Sequence, residues 1–386
     1  MPTAETLTVY ADKAYTSTGK VIENAMVVLN DGKISAIGPA AKGKRADDAL
    51  HVAAITAGMV DISARINSGG QSVEESTECT PGNRVADTLD PFSQSWARQL
   101  RHGVTTVVAS PYDNNCIGGL SLALKTGGET SIEARTIKAD VALRGSFGSQ
   151  PSSRNHPAFG RPTDFFSRRP TTRMGVEWIW RKNFFDALYA EGKPERAFDG
   201  HEQLVAALNG ALPVFAQAFA TQDIRTAVFL KEEMAGEGKP DMRLIIDGGA
   251  EAWRELDFLV RSNSAVVLSP YAADGRTTDG AFYADNCAAK LHAAGVPIAL
   301  SSYNSGEVGH LLGDQAAFAQ RGGLPFDAAL DAVTLSPARI MGIDARVGSL
   351  EVGKDGDIVL WNGTPFELTS SVVGVVLDGK LVVDPR

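Results

Sequence analysis

Histidine and cysteine are scarce, and their placement excludes more than their number does. The 386 residues hold six histidines, His51, His102, His156, His201, His292 and His310, and the closest pair is eighteen positions apart. No His-x-His or His-x-x-x-His can be drawn, so no strand or helix presents two imidazoles on one face. The three cysteines, Cys79, Cys116 and Cys287, form no Cys-x-x-Cys, which argues against a disulfide framework or a zinc knuckle and for a reducing compartment. Basic residues are outnumbered, 37 Lys and Arg against 46 Asp and Glu, for a formal charge of −9. A chain with that balance and no basic block repels phosphate backbones and anionic bilayers, so neither nucleic acid nor membrane is an expected partner. No window approaches the roughly 18 apolar residues of a membrane span. The opening stretch "MPTAETLTVYADKAYTSTGK" has no basic segment followed by an apolar one, so the cytoplasm is the expected location.

What is plentiful is apolar composition, at 44%, enough for one large core and a smaller satellite domain. Residues 1–56 alternate β-type runs with turn signals, as in "TLTVYADKAY" and "NAMVVLNDGKISAIG", where Asp31-Gly32 suits a tight hairpin. Residues 345–386 repeat the style in "VGSLEVGKDGDIVLW" and "VVGVVLDGKLVV", with a second Asp-Gly turn at Asp378-Gly379. The two ends together predict one small β-sandwich domain.

From 57 to 344 the period changes, and strand-length apolar runs alternate with helical patterns. The helical "PFSQSWARQLRHG", with Asp90 as N-cap, Pro91 at the first helical position and Gly103 as its stop, leads into "VTTVVAS". "LPVFAQAF", "MRLIIDGG", "AVVLSP" and "VPIALSSYNSG" each adjoin a helical pattern in the same way. This repeat predicts an α/β fold, a TIM-type (β/α)8 barrel of parallel strands with helices outside, although a doubly wound sheet shares the local grammar. Residues 126–173, containing "RGSFGSQPSSRNHPAFGRPTDFFSRRPTTRMG", read as a long loop between barrel elements.

The stretches "ITAGMVDI", "GVTTVVASP", "IGGLSLALKTGG" and above all "AVTLSPARIMGIDARVGSLEVGKDGDIVLW" resemble the amidohydrolase superfamily, specifically its imidazolonepropionase-like branch. The resemblance covers nearly the whole chain. It implies a metal-activated water in the C-terminal mouth of the barrel, with histidines from the first, fifth and sixth strands and an aspartate from the eighth holding one or two divalent ions. Neutral imidazoles and a carboxylate suit zinc-like ions, and the ion lowers the pKa of its water towards neutrality.

Carried over residue by residue, the ligand set is missing. Ser63 and Arg65 stand at the first-strand His-x-His positions after Asp61, and a guanidinium has no lone pair to donate. Ala216 or Ala218 falls at the fifth-strand position, Gly248 at the sixth, and Tyr303 at the eighth, or Ser302 with the register one residue off. The resemblance therefore implies a member that has lost its metal site, with no zinc or other cofactor expected. The residues it places in the mouth are Asp61, Arg65, Glu74, Glu75, Glu78, Asp113, Asn114, Lys125, Asp247, Glu251 and Tyr303. Arg65, paired with Asp61 or one of the glutamates, would supply the charge that a metal supplies elsewhere. Lys125 reads as a strand-end lysine, since the carboxylated lysine of some superfamily members needs histidines beside it. Ser63 and Ser302 sit in no G-x-S-x-G turn, and "GGLSLALKTGG" lacks the spacing of a phosphate loop.

The rest of the sequence is consistently patterned, which indicates a fold still in use. The expectation is a non-catalytic subunit with a structural or regulatory role in a homo- or hetero-oligomer, beside a metal-bearing relative. The aromatic run "WIWRKNFFDALY" is a candidate interface, although its spacing fits an ordinary buried amphipathic helix somewhat better. Two other functions stay open: a hydrolase of amide or cyclic amide carbon-nitrogen bonds using a different arrangement, and a small-molecule binding protein in which Arg65 grips a carboxylate.

Overall fold

A computed structural model describes residues 6–41, 50–64, 66, 72–153, 169–271, 279, 282–303 and 311–384. The chain opens with strands β1 (Thr6–Tyr15), β2 (Val21–Asn30), β3 (Lys33–Pro39) and β4 (Leu50–Ala57). Gly58 passes it directly into β5 (Met59–Asp61), the first strand of a second sheet. Only glycine fits at this crossing, because a Cβ there would lie 2.0 Å from Thr105 Oγ1. The second sheet continues in chain order with β6 (Val104–Ala109), β7 (Ile117–Lys125), β8 (Thr136–Ser146), β9 (Val214–Ala218), β10 (Leu244–Gly248), β11 (Ala265–Leu268) and β12 (Ile298–Leu300). The chain then returns to the first sheet as β13 (Ile358–Trp361), β14 (Val372–Leu377) and β15 (Lys380–Val383).

The terminal strands form one seven-stranded sheet, ordered β15-β14-β13-β4-β1-β2-β3. Both Asp-Gly turns are as the sequence suggests, with positive φ at Asp31, Gly32, Asp378 and Gly379. The two turns also meet: Gly356 N donates to Gly32 O at 2.7 Å and Gly379 N to Gly356 O at 3.0 Å. Ile34 N donates to Lys354 O at 2.9 Å, so the segment before β13 draws the two ends of the sheet together around Val9, Val27, Ile55 and Ile358.

The eight-stranded sheet curls into a nearly closed barrel. Its ends, β12 and β5, are bridged by the segment at 332–333: Leu300 N donates to Ala332 O at 2.9 Å and Val60 N to Val333 O at 2.8 Å. Side chains alternate across the strands. Val60, Val108, Phe215, Ile245, Val267 and Ala299 fill the interior, while Val214, Ala216, Ile246, Val266 and Leu300 pack in the outer core with the helices.

Two expectations need correction. The barrel is not all parallel, since β7 runs antiparallel to both β6 and β8. The connections at 110–116 and 126–135 are shorter than the dozen or more residues a parallel crossover requires, so the chain reverses instead. And 126–173 is not one long loop, because β8 occupies 136–146; residues 154–168 lie outside the described residues. A smaller shift concerns the helix before β6. It runs Gln94–Arg101 with Ser93 as its cap, while Asp90 accepts from Phe92 N at 2.9 Å in the preceding turn.

Candidate functional site

The C-terminal ends of the barrel strands surround a buried cation. Arg144, near the end of β8, points into the barrel over the ring of Phe215, 4.4 Å from its centroid. Its Nε donates to Asp113 Oδ1 at 2.8 Å and its Nη2 to Asp247 Oδ2 at 2.5 Å. The three side chains are 2%, 1% and 0% exposed. Burial alone would weaken the guanidinium; the charges of Asp113 and Asp247 outweigh it and hold Arg144 above its ordinary value. Burying charges this far from water is costly unless each is paired, and here one cation serves two carboxylates that other donors also reach.

Those donors come from β9 and from the segments that follow β5 and β12. Gln217 Nε2 donates to Asp113 Oδ2 at 2.7 Å, Ser63 Oγ to Asp247 Oδ2 at 2.9 Å, and Tyr303 OH to Asp247 Oδ1 at 3.0 Å. Every carboxylate oxygen of the pair thus accepts at least one hydrogen bond. Tyr303 reaches Asp247 from a left-handed backbone, φ 45°, a strained conformation for an aromatic residue. Just beyond Arg144 on the chain, Trp180 Nε1 donates to Ser146 O at 2.9 Å and the indole stacks on Phe147 at 4.4 Å. Gly145 makes this approach possible, since a Cβ there would lie 2.4 Å from the Trp180 ring.

Of the residues expected in the mouth, the network brings together Asp113, Asp247 and Tyr303, and it adds Ser63 from the first-strand ligand positions. Asp61 sits beside it in a different role. Its carboxylate accepts from Ser301 Oγ at 3.0 Å, Ser302 N at 3.0 Å, the Ser302 hydroxyl, and Ser63 N at 3.1 Å, closing the seam between β12 and β5. Burial pushes the Asp61 carboxyl above its ordinary range against the pull of those donors. Ala216 and Ala218 pack in the outer core, and a Cβ on Gly248 would lie 2.8 Å from the Phe219 ring. The fifth- and sixth-strand residues in the network are instead their neighbours Gln217 and Asp247, paired across β9 and β10.

The acidic run forms a wall lashed to the loop after β6. The Asn114 amide donates to Glu75, Asn115 Nδ2 donates to Glu74 O at 2.8 Å, and Glu78 meets Arg169 at 3.3 Å. Glu251 is turned to the first residue of the helix Thr221–Gly236, accepting from Thr221 Oγ1 at 2.7 Å and from the otherwise uncapped backbone Thr221 N at 3.3 Å. Lys125 is at the other end of the barrel, because antiparallel β7 carries it to the sheet domain, where it meets Asp355, Asp357 and Asp378. Arg65 lies outside the described residues. Arg144 and Gln217 were missed by the sequence reading; an arginine interrupting the apolar run "DVALRGS" was the available signal.

Residues 277–382 match the family model described as Amidohydrolase family. Amidohydrolase tasK of Hapsidospora irregularis is 25% identical over 381 residues, 86% of this chain, and the chain spans only 36% of the length of that relative. Imidazolonepropionase of Maricaulis maris is 22% identical over 393 residues, with 94% and 93% of the two chains covered. A solved amidohydrolase structure from Thermotoga maritima is 26% identical and superposes with a TM-score of 0.84 over 97% of this chain and 99% of that one. The chain is an amidohydrolase-like protein. The superfamily, the barrel and a separate domain from the two chain ends are as the sequence implied, but that domain is one seven-stranded sheet where a β-sandwich was expected. No helix among the described residues is long and apolar enough to cross a membrane. In this amidohydrolase-like chain the centre of the mouth is a guanidinium, two carboxylates, an amide and hydroxyls.

Proposed function

We propose that this chain keeps the amidohydrolase fold with a guanidinium where a divalent ion would sit, does not hydrolyse through a metal-bound water, and serves as a structural or regulatory subunit of an oligomer beside a metal-bearing relative. The observation that carries this reading is Arg144 between Asp113 and Asp247. A fixed cation already bridges both carboxylates, and the oxygens that would ligate a metal accept from Arg144, Gln217, Ser63 and Tyr303. The donor set does not fit a divalent ion: about 4 Å from the guanidinium it would be repelled by roughly 4 kcal/mol per unit of its charge at an effective dielectric constant near 20.

Metal content per chain, measured by mass spectrometry on protein purified without chelator and again after zinc exposure, tests the reading. Substoichiometric metal in both is expected, and one ion per chain overturns it. Light scattering tests the subunit role; a monomer at micromolar concentration, alone and mixed with a metal-bearing relative, removes that part.

One observation favours a second reading. Arg144 Nη1 is buried with no hydrogen-bond partner among the described residues, and such a donor costs about 1–3 kcal/mol unless something accepts from it. The acceptor would be a small carboxylate ligand. A rise in melting temperature with succinate beyond that in sodium chloride of equal ionic strength supports this use of the mouth, and an equal response argues against it.

A further inference from the structure

At the end of the barrel opposite the mouth lies a cavity of about 780 Å³, opening between the starts of β10, β11 and β12. That size is in the range of small-molecule sites. Four cations line it, Lys231, Arg243, Arg261 and Arg339, against two carboxylates, Glu232 and Asp241. The local excess is positive although the chain as a whole carries −9. Arg261 is paired with Glu232 at 2.8 Å. Among the described residues the partners of Lys231 and Arg243 are carbonyls: Lys231 Nζ donates to Ser262 O at 2.5 Å and Arg243 Nη2 to Ile340 O at 3.0 Å. An ammonium has three donors and a guanidinium five, so each keeps N–H groups to spare. Burial and the nearby charge of Arg243 both push Lys231 below its ordinary value.

The N-terminal face of such barrels generally serves stability, and a purely stabilising role would pair these cations with acidic residues, as Arg261 is paired. We propose that this cavity is a second binding site, for a small organic molecule carrying two or more negative charges. Ammonium and guanidinium groups are suited to phosphate and carboxylate oxygens. Pro240 and Pro297 give the cavity apolar wall for the uncharged part of such a ligand. The site is independent of the mouth and of whether the mouth holds a metal.

Calorimetric titration of the full chain with inorganic pyrophosphate and, separately, with citrate tests this at fixed ionic strength. One molecule per chain is expected for at least one probe, weakened tenfold or more by Lys231→Gln and by Arg243→Gln, each checked for an unchanged circular dichroism spectrum. A preference for pyrophosphate or for citrate identifies the anion as phosphate- or carboxylate-based. No binding of either probe, or binding that both folded variants leave unchanged, overturns the proposal.

Discussion

Arg144 Nη2 and Asp247 Oδ2 meet at 2.5 Å inside the barrel, with neither side chain open to water. Removing one member of such a pair leaves the other as an uncompensated buried charge. Arg144→Met strands two carboxylates, Asp113 and Asp247, and an expected loss of about 3–5 kcal/mol follows. Urea denaturation at neutral pH measures it. Adding Asp247→Asn should recover part of that loss, because one of the stranded charges is then gone; a single variant within about 1 kcal/mol of the parent would mean that the network is open to solvent.

Lys125 binds the barrel to the sheet domain rather than serving the mouth. It lies 3.0 Å from Asp355 and 3.1 Å from Asp378, and it donates to Asp357. Burial alone would depress the ammonium, but Asp357, Asp378 and Asp355 outweigh it and keep it charged. Asp357 is pushed above its ordinary range, first by burial, with Lys125 pulling the other way. In Lys125→Met that pull is lost, whereas Asp355 keeps Lys33 and Arg346. A loss of about 3–5 kcal/mol is expected at pH 8. A carboxyl whose folded pKa is raised favours the native state when protonated, so this group's contribution recovers as pH falls through its folded value. The gap between variant and parent should therefore narrow at pH 5.5 in denaturant titrations, and a pH-independent gap would contradict the assignment.

How far the sequence could be read depended on which way its side chains point. The sheet domain was legible because its turns carry Asp-Gly at Asp31 and Asp378 and its strands alternate, both local signals. The second half of the barrel was legible because strands such as "LIIDGG" are apolar on both faces and are followed by helices. Strand β8 was hidden for a physical reason. Its sequence "TIKADVALRGS" places Arg144 at a position that faces the barrel interior, so the residue that organises the mouth is the one that breaks the apolar run. The error of one residue at β9 and β10 has a similar origin. With Ala216 and Gln217 both buried, composition could not tell the outer core from the lumen; the hydrogen bond from Gln217 to Asp113 does.

The stacked turns of the sheet domain give a prediction with an internal control. Gly379, φ 76°, lies so close to Gly32 that an added Cβ would be 2.9 Å from the Gly32 Cα. Gly19 has nearly the same φ, 75°, with nothing within 4 Å. Gly19→Ala should cost only the left-handed backbone penalty, about 1–2 kcal/mol. Gly379→Ala should cost about 1–3 kcal/mol more, since the two turns must also part. Equal shifts in thermal unfolding of the two variants would show that the turns are not in contact in solution.

Asp223 makes a distinct statement about pH. It lies in the first turn of the helix Thr221–Gly236, paired with Arg173 Nε at 2.8 Å, and Arg173 also reaches Asp279. Burial pushes its carboxyl up to about 6, Arg173 pulls it down, and the like charge of Asp279 adds to the rise. A raised carboxyl pKa means that the folded state holds the proton more tightly than the unfolded chain, whose ordinary value is about 3.9. The stability this confers is complete below the unfolded value and is lost as pH rises through about 6. Asp223→Asn removes the titration while keeping the shape of the side chain. Between pH 4 and pH 7 the parent should lose up to about 3 kcal/mol relative to the variant. Paired denaturation curves at the two pH values measure the difference, and carboxyl carbon NMR should place the Asp223 midpoint near 6. A midpoint at the ordinary carboxylate value, with a difference that does not change with pH, would mean that Arg173 fully compensates the burial.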